Sequence, residues 1–139
     1  MWFLILLLLG PSQPQPHAPK FLSAPHIATE LEDIRLSVQI TPHREIRSVI
    51  VELWQSAEAD IADQDVVSAD DGLTPAYTCE PQMLVTSSVK EVTDLNIDQR
   101  TFDFYWRGPF HAGSYVLITR AALGRGLTTG ATKQCLVIR

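Results

Sequence analysis

The side chains that could do chemistry in this 139-residue sequence are carboxylates gathered in one stretch. Between Ser56 and Gly72 the chain has six acids and no base: Glu58, Asp60, Asp63, Asp65, Asp70 and Asp71. Carboxylate oxygens are the ligands that Ca²⁺ prefers, and a bound metal ion can activate water. The acidic loop 58–71 therefore suggests, as an alternative function, a calcium-binding domain or a small metal-dependent hydrolase. Its spacing lacks the glycine and the terminal glutamate of an EF-hand, which favours a solvated loop.

Other catalytic and metal-binding patterns are missing from the sequence. The four histidines are never two or four positions apart, and neither cysteine belongs to a close-spaced pair or has a nearby histidine, so a zinc site is disfavoured. No Gly-x-Ser-x-Gly elbow occurs, and Gly113-Ser114 lies where a strand should begin. We therefore predict no catalytic, cofactor-binding or metal-binding residue, and a protein that is not an enzyme.

The two cysteines, Cys79 and Cys135, are 56 positions apart (135 − 79). Disulfides persist in oxidising compartments, so in an exported protein we expect these two residues to pair. The bridge would tie the end of the acidic loop to the last strand, and a closure of this length is worth roughly 4 kcal/mol. Two buried free thiols are the alternative.

The N-terminus has the features of an export signal. The apolar run Trp2 to Leu9 is followed by the small residues of Gly10-Pro11-Ser12, although no base precedes the run. We predict a short signal peptide over residues 1–12 and a secreted or periplasmic protein, with a buried first strand or an ordinary apolar terminus as the alternative. The run is too short to span a membrane, so no transmembrane segment is expected in the mature chain.

Five prolines lie between positions 11 and 25, which removes backbone donors from this part of the chain. We interpret residues 13–30 as a proline-rich leader or linker, and residues 31–139 as the folded domain. The P-x-x-P sequence Pro11 to Pro14 leaves a polyproline ligand as a weaker alternative.

The net charge of −5 comes from the acidic loop. Without its six acids, ten acids remain against eleven bases, and the arginines lie singly along the chain. Nucleic-acid binding needs a basic face, so it is disfavoured.

Outside the acidic loop, apolar residues alternate with polar ones, as in strands with one buried face. Ile34 to Ile40 is the clearest case, and Ile46 to Gln55 follows after a turn at Pro42. We expect these two strands to form an antiparallel pair. In the second strand, Val49, Val51 and Leu53 should face the core, with Ile50, Glu52 and Trp54 on the other face.

The rest of the chain adds further short strands and no convincing long helix. In Thr101 to Trp106 three aromatic rings, Phe102, Phe104 and Trp106, fall on one face and should pack in the core. Weaker strands are expected in the acidic loop at Asp65 to Ser68, and at a sheet edge at Met83 to Ser88 and Val89 to Thr93. Stronger strands are expected near the end, at Ser114 to Leu123 and Thr132 to Ile138. Six to eight strands predict an all-β, antiparallel two-sheet sandwich, with a small barrel as the alternative.

The run Trp106-Arg107-Gly108-Pro109-Phe110-His111-Ala112-Gly113-Ser114-Tyr115-Val116-Leu117-Ile118 resembles the E-to-F corner of immunoglobulin-like and fibronectin type III-like sandwiches of bacterial secreted proteins. The resemblance implies a tyrosine corner, in which the hydroxyl of Tyr115 bonds back to the upstream backbone. Leu117 stands where immunoglobulin domains have a cysteine, so their inter-sheet disulfide is missing.

Together these observations predict a secreted, non-enzymatic binding or accessory module. Its partner would be an extracellular protein or glycan. Loops and unpaired strand edges are the usual contact surfaces of such domains, so we expect contact through the loop Ser56 to Cys79 or through an exposed edge strand.

Overall fold

The computed structural model describes residues 16–56 and 79–139. Within these ranges the chain forms eight strands, and the helical content is one short 3₁₀ turn at Gly124–Gly126. The strands are β1 (Lys20–Ser23), β2 (Ile27–Ala28), β3 (Ile34–Gln39), β4 (Ile46–Ser56), β5 (Pro81–Glu91), β6 (Thr101–Trp106), β7 (Gly113–Leu123) and β8 (Thr132–Ile138). In this part of the chain no helix is long and apolar enough to cross a membrane.

The strands form two sheets. One has the order β1-β3-β6, and the other has the order β2-β8-β7-β4-β5. All neighbours are antiparallel except β2 and β8, which run parallel. The segregation of β1, β3 and β6 from β4, β7 and β8 is that of the immunoglobulin fold, in which the first, second and fifth strands oppose the third, sixth and seventh. The predicted all-β, immunoglobulin-like sandwich is confirmed.

The core lies between the inner faces of the two sheets. The alternation in β6 buries Phe102, Phe104 and Trp106, each at most 7% exposed. From the other sheet, β4 contributes Val49, Val51 and Leu53, all fully buried as predicted. Burying one large apolar side chain contributes about 1.5–3 kcal/mol, so these alternating positions supply much of the driving force for folding.

The outer face of β4 carries one buried carboxylate, Glu52, between Ile50 and Trp54. Glu52 is only 8% exposed, and both of its carboxylate oxygens accept hydrogen bonds from Arg120 at 2.9 Å. The indole N–H of Trp54 also donates to Glu52, at 3.1 Å. A buried carboxylate needs such partners, and here they come from the neighbouring strand and from the same face.

The predicted pairing of β3 with β4 is wrong. β3 pairs with β1 and β6, whereas β4 pairs with β5 and β7 in the opposite sheet. The connection between the two strands therefore crosses from one sheet to the other. Alternation reports only that a strand has one buried face, and two strands on opposite sides of a core share that property.

The leader predicted over residues 13–30 is wrong for residues 20–28. β1 pairs with β3, and β2 pairs with β8, so this segment contributes a strand to each sheet. Its prolines lie where a donor is not required, with Pro19 just before β1 and Pro25 between the two strands. The side-chain amide of Gln134 donates to the carbonyls of Ala24 and Pro25, both at 3.1 Å. These bonds fix the chain where it passes from β1 in one sheet to β2 in the other.

Two further predictions concern the chain after β4. The two weak strands expected over 83–93 are a single strand, β5, and it lies at a sheet edge as expected. The signal peptide over 1–12, the acidic loop 58–71 and the strand expected at Asp65 to Ser68 fall outside the described residues.

Candidate functional site

The two cysteines are joined in a disulfide, with their Cα atoms 5.8 Å apart. Cys79 lies two residues before β5, and Cys135 lies in β8, so the bond ties the segment that leads into one edge strand to a strand three places away in the same sheet. On the outer face of that sheet, Cys79 packs with Val116, Ile118 and Val137 in a small apolar cluster. Both cysteines are thus part of the scaffold.

Tyr115 lies at the start of β7 and is 5% exposed. Its hydroxyl donates a hydrogen bond to the carbonyl oxygen of His111 at 2.7 Å, which ties the β6–β7 connection to the strand that follows it. Burial raises the pKa of the Tyr115 phenol, and the nearby charge of Glu30 acts in the same direction. The hydroxyl therefore keeps its proton and remains a donor.

A concave surface, which we call the sheet-face hollow, is lined by residues of the three-stranded sheet and of β5, the edge strand of the other sheet. It measures about 740 Å³ and is lined from β1, β3, β5 and β6, chiefly by Ser23, Arg35, Ser37, Ser88, Lys90, Asp103 and Tyr105. Because β6 turns its three core rings inward, its alternate residues Asp103 and Tyr105 face outward. Arg35 lies opposite Tyr105, and Ser37 lies opposite Asp103, so the four side chains share one face.

Hydrogen bonds fix this face. Ser37 Oγ donates to Asp103 Oδ1 at 2.6 Å, and the Arg35 guanidinium lies 4.6 Å from the centroid of the Tyr105 ring. The Tyr105 hydroxyl donates to Asp33, whose other carboxylate oxygen accepts the backbone N–H of Gly108 at 2.7 Å. The hydrogen bond from Tyr105 and then that from Gly108 lower the pKa of Asp33, so this carboxylate stays charged.

The edge strand β5 lines the hollow from the inner side of β6, because Ser88 and Lys90 pair with the inward-facing Val51 and Val49 of β4. Ser88 Oγ accepts the indole N–H of Trp106 at 2.8 Å, which leaves the Ser88 hydroxyl proton available for another acceptor. Lys90 Nζ lies 5.8 Å from the centroid of the Phe104 ring, and no carboxylate pairs with it among the described residues. The hollow thus combines donors, an acceptor and the ring of Tyr105, which is 45% exposed.

Comparisons with known proteins identify no sequence family. No family model matches the chain. No curated protein matches it either.

Several solved structures have a similar chain path. A chitin-binding domain from Burkholderia pseudomallei is 10% identical with a TM-score of 0.48, over 83% of this chain and 57% of that one. A family 76 glycoside hydrolase from a bovine Bacteroides thetaiotaomicron strain is 10% identical with a TM-score of 0.46, over 89% of this chain and only 20% of that one. The PKD domain of an M14-like peptidase from a Thermoplasmatales archaeon is 11% identical with a TM-score of 0.43, over 91% and 98%.

The predicted site residues lie apart from the sheet-face hollow. Tyr115 and the disulfide belong to the five-stranded sheet, and the acidic loop 58–71 falls outside the described ranges. Within residues 16–56 and 79–139 no group of three or more histidine, cysteine or acidic side chains could hold a metal ion.

Sequence reasoning missed Arg35, Asp103 and Tyr105 as candidate binding residues. The alternation that predicted β3 and β6 already placed them on the outward face. What it lacked was the pairing of β3 with β6, which brings the two rows of side chains together.

Proposed function

We propose that this chain is a non-enzymatic binding module that works outside the cytoplasm and recognises a saccharide at the sheet-face hollow. The observation that carries the proposal is the half-exposed Tyr105 ring, held by Asp33 and flanked by Arg35 and Asp103. Ligand sites typically combine aromatic surface with a few fixed polar groups.

The mixture of polar groups favours a saccharide over other small ligands. Each sugar hydroxyl both donates and accepts hydrogen bonds, and beside Tyr105 the hollow offers the Arg35 donor together with the Asp103 acceptor. The apolar C–H face of a sugar ring can lie on the exposed part of an aromatic side chain. Because Tyr105 and Asp103 already have internal hydrogen bonds, little side-chain entropy is lost on binding.

The proposed location rests on two features. The N-terminal apolar run resembles an export signal, and the Cys79–Cys135 disulfide suits an oxidising compartment such as the periplasm or the extracellular space.

Calorimetric titration with soluble oligosaccharides selected from a glycan array tests the site. For a saccharide bound by the natural chain, we expect Tyr105→Ala to weaken binding roughly tenfold or more, because it removes the aromatic surface. Tyr105→Phe keeps the ring and should retain most of the affinity. Lys133→Ala, on a strand of the other sheet, is the control for truncating a large, partly exposed side chain outside the hollow.

Two outcomes would contradict the proposal. One is an array on which the natural chain binds no saccharide. The other is a bound saccharide whose affinity is the same for the natural chain and for Tyr105→Ala. If the natural chain binds no saccharide but does bind a protein partner, and Tyr105→Ala loses that partner, the ligand of the sheet-face hollow is a protein and not a saccharide.

A further inference from the structure

The connections that follow β5 and β7 lie at the same end of the sandwich. Ser48, near the start of β4, pairs with Glu91 at the end of β5. Ile46 pairs with Leu123 at the end of β7. Because β5 and β7 are the two neighbours of β4, the loop 92–100 and the turn 124–131 emerge side by side.

The loop 92–100 presents an exposed apolar side chain on an ordered backbone. Leu95 is 98% exposed. Asn96 fixes the loop around it, since its side chain accepts the backbone N–H of Thr93 at 2.6 Å and donates to the carbonyl of Glu91 at 3.0 Å. An anchor held in this way loses little conformational freedom on binding. The exposed carboxylates of Asp94 and Asp98 flank it.

The neighbouring turn forms a complementary hollow of about 500 Å³, which we call the turn hollow. Two leucines, Leu123 and Leu127, supply its apolar lining, and two arginines, Arg47 and Arg125, line it with Glu45 and Gly124. Leu127 is 60% exposed. Among the described residues neither arginine has an ion-pair partner. The turn hollow is therefore apolar with an excess of positive charge, and the loop is apolar with an excess of negative charge.

We propose that the chain forms a two-fold dimer in which Leu95 of each copy enters the turn hollow of the other. Asp94 and Asp98 then face Arg47 and Arg125. In a two-fold dimer each contact occurs twice, and this requires that the anchor and the hollow lie at the same end of one molecule, as they do here. The aspartates beside Leu95 disfavour an anionic membrane as the occupant, because they would face the lipid headgroups.

Sedimentation velocity of the full chain over a range of concentrations tests the dimer. We expect a concentration-dependent monomer–dimer equilibrium for the natural chain. Leu95→Ser should weaken dimerisation roughly thirtyfold, the usual effect of removing a central anchor. Leu31→Ser is the matched control, because Leu31 is 86% exposed and precedes β3, at the opposite end of the sandwich.

A charge exchange tests the pairing of the two surfaces. Arg47→Glu with Arg125→Glu, and Asp94→Lys with Asp98→Lys, should each abolish the homodimer by placing like charges together. An equimolar mixture of these two variants should form a heterodimer, because both contacts then join opposite charges again. All the substituted side chains are exposed, so the variants should remain folded, which circular dichroism confirms before sedimentation.

The proposal is overturned if the natural chain stays monomeric at every concentration. It is also overturned if Leu95→Ser dimerises like the natural chain, or if Leu31→Ser weakens the dimer as much as Leu95→Ser. Failure of the charge-exchanged mixture to form heterodimers would reject the proposed pairing. None of these results depends on a saccharide, so they leave the proposed binding function unaffected.

Discussion

Single hydrogen-bonded side chains fix the connections of this sandwich. Tyr115 ties the β6–β7 connection to β7. Asp33, the residue before β3, accepts hydrogen bonds from Tyr105 in β6 and from Gly108 in the connection that follows β6. Gly108 itself has no space for a side chain, since a Cβ there would lie 2.6 Å from the carbonyl oxygen of Glu32. The approach of these two chain segments thus depends on one glycine and one carboxylate.

Tyr115→Phe should lower the free energy of unfolding by about 1–2 kcal/mol, because the His111 carbonyl loses its donor while the ring stays in place. Chemical denaturation of the natural chain and of the variant measures the difference. Tyr105→Phe, at a half-exposed position, is the control and should lower the free energy of unfolding less, since water can replace the hydrogen bond from Tyr105 to Asp33. Equal stability of Tyr115→Phe and the natural chain would contradict a structural role for this hydroxyl.

Asp33 should contribute to the acid sensitivity of the fold. Its pKa in the folded protein lies below the ordinary value of 3.8, so its stabilising contribution is complete above that value and is lost as the pH falls below it. Asp33→Asn should therefore lose less stability than the natural chain as the pH falls through this range. Denaturation at a series of acidic pH values, with Asp94→Asn as an exposed control, measures this. Parallel pH profiles for Asp33→Asn and the natural chain would count against it.

At the scale of strands, the sequence predicts which residues face the core better than which strands are neighbours. Every inward residue predicted for β4 and β6 is buried, because burial follows from the two-residue period alone. The partner of a strand depends on contacts distant along the chain. β3 ends at Gln39 and β6, one of its two partners, begins at Thr101, 62 positions later (101 − 39). No local pattern reports a pairing over that distance.

The short strands β1 and β2 show a second limit of local patterns. Four and two residues long, they carry too little alternation to be recognised, and nearby prolines argue against a sheet. Their positions depend on side chains far along the chain, such as Gln134. The sheet-face hollow was unpredicted for the same reason, because it needs residues from four strands in the correct order.

For the whole molecule, the Cys79–Cys135 disulfide should be a major source of stability. Replacing both cysteines with alanine should lower the free energy of unfolding by roughly 4 kcal/mol, since the bond closes a loop of 56 positions in the unfolded chain. Denaturation of the oxidised natural chain and of the double variant measures the loss. Reduction of the natural chain is the control and should give a similar decrease. A double variant as stable as the oxidised chain would contradict this expectation.

The parallel pairing of β2 with β8 has a mechanical consequence. Val137 and Arg139 donate backbone hydrogen bonds to His26 and Ala28, both at 2.9 Å, so early and late segments of the chain run side by side in one direction. Tension that pulled these segments toward opposite ends would slide the strands along each other and load these bonds in shear, all at once. An antiparallel pair pulled open from one end would instead release its bonds one after another, at a lower force.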